Sequence, residues 1–122
     1  IVLPSRYEPF GIIALEAAAA GTPLVTSTAG GLGEAVVDGE TGLSFAPGDV
    51  VGLTSAVREV LDDPAAAQLR ATAARARLTS EFHWALVAEE TALVYSGSKR
   101  RVRHPLARPT IPERPLPDRD TP

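Results

Sequence analysis

Glu8 and Glu16 stand with seven residues between them in the stretch YEPFGIIALEAAAAGTP. From Phe10 to Ala20 the pattern predicts a helix that is apolar on every side except at Glu16, with Pro9 at its first position and Gly21 as its stop. A helix N-terminus carries N–H groups without partners and about half a positive charge, which together favour an anion. Proline has no N–H to lose there, and glycine lets a ligand approach the backbone closely. A phosphate therefore suits the turn Pro9-Phe10-Gly11-Ile12. Carboxylates repel phosphate, so Glu8 and Glu16 need another partner. An ionised carboxylate only accepts hydrogen bonds, through two oxygens, and so matches a vicinal diol of the kind found in sugars and ribose. Eight residues of helix span about 12 Å. Two carboxylates so spaced can hold opposite ends of one extended ligand, with its phosphates between them. A sugar, a pyrophosphate and a ribose in a row have that layout.

Plainer readings stand beside these. Glu16 also reads as an ordinary helix charge or the ion-pair partner of Arg6, and Glu8 as a helix cap, a role compatible with contact to a sugar. Gly30-Gly31 reads as a turn, and Tyr7 as locally packed. His83 and His104 lack metal-ligand spacing and read as structural or solvated. Trp84 reads as core, or as exposed where its partner lies elsewhere.

The elements that position the two carboxylates follow from the apolar pattern. Ile1-Val2-Leu3, stopped by Pro4, reads as a buried parallel strand. The β-branched run Pro23 to Ser27 is a second strand, and Leu43-Ser44-Phe45 a third. Between them a flexible Ala29-Gly30-Gly31-Leu32-Gly33 turn leads into a short helix at Glu34 to Val37. Asp49 is placed to cap a helix to Asp62 that presents Val50, Leu53, Val57, Val60 and Leu61 on one face. Pro64 opens an alanine-rich helix to about Ser80, with arginines at 70, 75 and 77, and His83 to Tyr95 makes an amphipathic last helix. Strands alternating with helices predict an α/β fold, a Rossmann-like parallel sheet with helices on its faces. Three strands are few for that fold, and the chain lacks an initiator methionine, so part of the domain is expected upstream.

The 122 residues allow one small domain. Residues 1–97 carry five arginines against twelve carboxylates, a net of −7, which argues against a nucleic-acid partner. Residues 98–122 carry seven basic groups and three acids, and six of the eleven prolines fall within 105–122, which predicts a disordered tail whose SKRRVRH segment is a solvated arm. There is no cysteine, so disulfides and thiolate chemistry are excluded, and no apolar run reaches the length of a transmembrane segment.

The stretch PSRYEPFGIIALEAAAAGTPLV followed by GGLGE resembles the signature of the retaining GT-B glycosyltransferases of family 4. That signature is a pair of glutamates with seven residues between them and an FG-like turn after the first. The resemblance covers residues 1 to about 97. EPFGIIALEAAAAGTPLV and DGETGLSFAPGD are similar in particular to actinobacterial α-1,4-glucosyltransferases related to glycogen synthase. The resemblance implies the C-terminal part of a GT-B fold, with residues 1–97 as a partial nucleotide-sugar-binding domain. It also implies that Glu8 acts at the donor sugar, that the N–H groups of Phe10, Gly11 and Ile12 meet the pyrophosphate, and that Glu16 accepts from the ribose. Gly30 and Gly31 correspond to a glycine loop near the donor, and the helix around Trp84 to the segment that crosses back to the N-terminal domain. The implied donor is a nucleotide sugar of the UDP- or ADP-glucose type, transferred to a glycan acceptor with retention and without a cofactor, protein nucleophile or metal. The family's pyrophosphate-binding Arg and Lys and its acceptor domain are expected upstream, so the fragment alone should be inactive. A cytoplasmic or membrane-peripheral location follows from where activated sugars are made. A nucleotide-sugar epimerase or hydrolase on the same scaffold, and a non-catalytic remnant, are the rival expectations.

Overall fold

The computed structural model describes residues 1–97. The predicted tail, with SKRRVRH and His104, lies outside the described residues. Three strands, β1 (Val2–Leu3), β2 (Val25–Ser27) and β3 (Leu43–Phe45), alternate with helices α1 (Ile12–Ala20) and α2 (Leu32–Ala35); α3 (Val50–Asp62), α4 (Pro64–Glu81) and α5 (Trp84–Tyr95) follow. The strands are parallel in the order β1-β2-β3, with Val2 opposite Val25 and Val25 opposite Leu43. Parallel neighbours need a crossover, and α1 and α2 supply the two. All three strands therefore end at one edge of the sheet, and the loops after β1 and β2 lie side by side there.

β2 and β3 are covered on both faces, whereas the edge strand β1 is not the buried strand expected: Val2 is exposed and Leu3 half-buried. Ala14, Ala17 and Ala18 of α1 pack with Leu24, Leu32, Val36 and Ala74 on one side. Alanines 67, 71 and 74 are the buried residues of α4, so α1 and α4 meet through short side chains and approach closely. On the other face Val25, Leu43 and Phe45 pack against Ala56, with Leu53, Val57 and Val60 of α3 around them. Leu32 is the largest fully buried side chain, at 1 % exposure. Leu32→Ala should lower stability by about 3 kcal/mol, measured as the midpoint of urea unfolding.

Four local expectations are corrected. The helix does not start at Phe10: α1 begins at Ile12, because Gly11 takes a left-handed φ of 89° and residues 8–11 close a turn of their own. Leu32 enters the core and draws α2 to residues 32–35, two positions before the predicted start, and Val36 leaves it in extended geometry. Val50 and Leu61 do not share the buried face of α3; both are exposed, because a helix of 13 residues outreaches a strand of three. The last helix buries no residue, so it is not amphipathic with respect to this body, and Trp84 is 85 % exposed. No described helix is long and apolar enough to cross a membrane.

Candidate functional site

The loops after β1 and β2 are bound to each other before any ligand is considered. Ser27 Oγ, at the end of β2, donates to the Ser5 carbonyl at 2.6 Å and accepts from the Ala29 N–H at 3.5 Å. One step further out, the Gly31 N–H donates to the Glu8 carbonyl at 2.9 Å. A Cβ on Gly30 would overlap the Glu8 carbonyl, and a Cβ on Gly31 the backbone of Phe10. Gly30 also has a φ of +49°, which a side chain disfavours. The glycine pair therefore lets one loop nest against the other. That physical need is distinct from contact with a ligand, and the two are compatible.

The nested turn has a defined polarity. One Glu8 carboxylate oxygen accepts from the Gly11 N–H at 3.2 Å, which closes the turn before α1; the N-cap of the helix is Gly11, so Glu8 is not the cap expected of it. Of the three amides expected to face an anion, that of Gly11 is thus already engaged. The Ala14 N–H is bonded to the Gly11 carbonyl at 2.9 Å. Among the described residues no protein acceptor meets the N–H groups of Phe10, Ile12 or Ile13. The helix N-terminus accordingly offers open donors on either side of Gly11.

Glu16 is exposed and makes no hydrogen bond or ion pair among the described residues, so the pairing with Arg6 is not formed. It lies four residues after Ile12 and three after Ile13, so its side chain shares a helix face with theirs, about one turn in from the open amides. Ile12, Ile13 and Phe10 are each more than half exposed, so this face of α1 carries apolar groups around a single carboxylate. Tyr7 is also exposed and does not pack locally.

A cavity of about 220 Å³ opens beside the turn, lined by Pro9, Phe10, Gly30, Gly31, Ala35 and Phe82 among others. Phe82 carried no functional signal in the sequence, since it reaches the cavity from the far end of α4, where the Arg77 guanidinium lies 5.7 Å from its ring centroid. His83 is structural: its Nδ1 accepts from the Leu86 N–H at 3.2 Å and caps α5. Among the described residues no cluster of three or more His, Cys, Asp or Glu is placed to hold a metal.

A parallel sheet whose carboxyl edge carries an open helix N-terminus, nested on a glycine loop, is the ligand-binding architecture of α/β proteins. Its structural relatives define the class further as GT-B glycosyltransferases. Sucrose-phosphate synthase from Thermosynechococcus elongatus superposes with a TM-score of 0.72 at 41 % identity, over 79 % of this chain and 24 % of that one. Anabaena HepE in complex with UDP-glucose superposes with a TM-score of 0.68 at 28 % identity, over 75 % of this chain and 25 % of that one. Residues 1–78 match the family described as Glycosyl transferases group 1, and the chain belongs to that family. It is 68 % identical over 118 residues to the glycogen synthase of Mycobacterium tuberculosis, matching 97 % of this chain and 28 % of that protein. The chain thus spans little more than a quarter of that relative's length.

Proposed function

We propose that residues 1–97 are the donor-binding part of a retaining glycosyltransferase that moves a glucosyl unit from a UDP- or ADP-activated donor to a glycan. The observation that carries the proposal is the set of open amides of Phe10, Ile12 and Ile13 between two carboxylates, Glu8 in the turn before α1 and the unpaired Glu16 about one turn into the helix. In this arrangement the open amides take the diphosphate, Glu16 accepts from the ribose hydroxyls, and the free oxygen of Glu8 accepts from a hydroxyl of the sugar. The leaving diphosphate gains charge as the glycosidic bond breaks. Fixed N–H dipoles aimed at that charge stabilise the transition state more than the ground state. The acceptor hydroxyl attacks from the face that the diphosphate leaves: its bond to the anomeric carbon forms as the bond to the diphosphate breaks and its proton passes to the departing diphosphate, which retains the anomeric configuration and needs neither a protein nucleophile nor a metal. The cations that complete the diphosphate site and the acceptor domain belong to the remainder of the enzyme, and its place is the cytoplasm, where activated sugars are made.

Support comes from the 68 % identity to a glycogen synthase and from a structural relative held in complex with UDP-glucose. Glu16→Ala in the full-length natural chain should weaken nucleotide-sugar binding about 10- to 100-fold, the loss of charge-assisted hydrogen bonds to a diol, as read by titration calorimetry. Unchanged affinity would remove Glu16 from the site. Product should form only when an acceptor saccharide is present, which separates transfer from hydrolysis or epimerisation, and proton NMR of the new linkage reads its configuration.

A further inference from the structure

We propose that Arg77 is a positioning residue for transfer: it sets the spacing of the glycine loop against the Glu8 turn through α2. The inference rests on the donor-site assignment above and extends it to a residue that touches no part of the proposed ligand.

The Arg77 side chain is 12 % exposed, and its guanidinium is almost fully committed. Nη1 donates to the Ala35 carbonyl at 3.0 Å and the Glu34 carbonyl at 3.3 Å, and Nη2 donates to the Glu34 carbonyl at 3.3 Å. These carbonyls end α2, where the helix has no further N–H groups of its own to offer them. Nε donates to the Glu81 carboxylate at 2.8 Å, and the guanidinium lies 5.7 Å from the centroid of the Phe82 ring. Arg77 therefore grips the last turn of α2 while Glu81 and Phe82 hold its own orientation.

The other end of α2 is the site. α2 has four residues and starts after Gly31, whose N–H holds the Glu8 carbonyl. A single helical turn cannot absorb a displacement along its length, so a shift at Ala35 is passed to Gly31. The gap there has no slack, because Gly30 and Gly31 already approach the Glu8 and Phe10 backbone more closely than a Cβ would allow. Leu32 and Val36 anchor α2 in the core and Ala35 packs against it, while the Arg77 fork adds the polar hold on its last two carbonyls. Phe82, beside Arg77, lines the same cavity as Gly30, Gly31 and Phe10. Lysine offers a single ammonium and cannot reproduce the fork across two carbonyls.

The test uses Arg77→Ala and Arg77→Lys in the full-length natural chain, with Ala67→Gly as a control that weakens the same helix away from α2. Arg77→Ala should lower kcat about tenfold while donor KM stays within about twofold, and added methylguanidinium should restore part of the loss. Arg77→Lys, which preserves the charge, should fall between wild type and Arg77→Ala, and it decides the matter if the alanine variant does not fold. Ala67→Gly at a matched drop in Tm should keep kcat within about twofold. Equal kcat losses in Arg77→Ala and Ala67→Gly at equal Tm would overturn the proposal. Hydrogen exchange at the Gly31 amide tests the linkage without any activity: Arg77→Ala should speed it about tenfold beyond the control. If wild type transfers no sugar but Gly31 exchange responds, the functional assignment fails while the linkage stands; if exchange does not respond, the linkage is wrong.

Discussion

Gly31→Ala is expected to lower both the stability of the protein and its rate of transfer. The backbone of Gly31 has an ordinary right-handed helical φ of −61°, so alanine brings no conformational strain there. The new Cβ would instead overlap the Phe10 carbonyl and Cα, which are main-chain atoms and cannot rotate away. One of the two loops must retreat, and the Gly31 N–H to Glu8 carbonyl bond at 2.9 Å lengthens with it. Overpacking of this kind costs about 1–3 kcal/mol of stability. A displacement near 1 Å at a group that must meet the reacting sugar costs about 10²-fold in rate. Urea unfolding and kcat measured on one preparation would check both. Loss of stability with kcat unchanged would mean that the nested loops do not position the reaction.

Glu8→Gln separates the two roles of that side chain. Its amide oxygen can still accept from the Gly11 N–H, so the turn should persist and Tm should change by only a few degrees. The negative charge offered to the sugar is gone. A charge-assisted hydrogen bond strengthened in the transition state is worth about 2–3 kcal/mol, so kcat should fall about 10²-fold with donor KM nearly constant. If Glu8→Gln keeps kcat within about threefold while Glu8→Ala loses stability, Glu8 serves the turn alone.

The sheet was legible because each strand is a short apolar or β-branched run ended by proline, glycine or a polar residue: Pro4 stops β1, and Gly42 precedes β3. Three parallel strands with helices on both faces followed from that alternation alone. The start of α1 was not legible. Pro9-Phe10-Gly11 suits a first helical turn by composition, yet the Gly31 N–H takes the Glu8 carbonyl and the Glu8 carboxylate takes the Gly11 N–H. The first of these contacts comes from a loop more than twenty residues away, which no local pattern encodes. Gly30 and Gly31 were recognised as a pair, but the close approach that requires them is tertiary. Arg77 is the same case: its i,i+4 relation to Glu81 lies in the sequence, while the Glu34 and Ala35 carbonyls it grips lie over forty positions upstream. The two glutamates were the most readable part of the candidate site, since a charge on an apolar helix stands out without neighbours. The structure adds that Glu16 has no protein partner among the described residues and that Glu8 has one, through Gly11.

The most direct test of the donor site is a backbone amide NMR titration of the full-length natural chain with UDP and, separately, ADP. Anion binding at the helix N-terminus predicts that the amide protons of Ile12 and Ile13, with Phe10, move downfield and shift more than any others in residues 1–97, and that Glu16→Ala raises the nucleotide concentration needed. Saturable nucleotide binding that leaves Phe10, Ile12 and Ile13 unmoved would contradict the account.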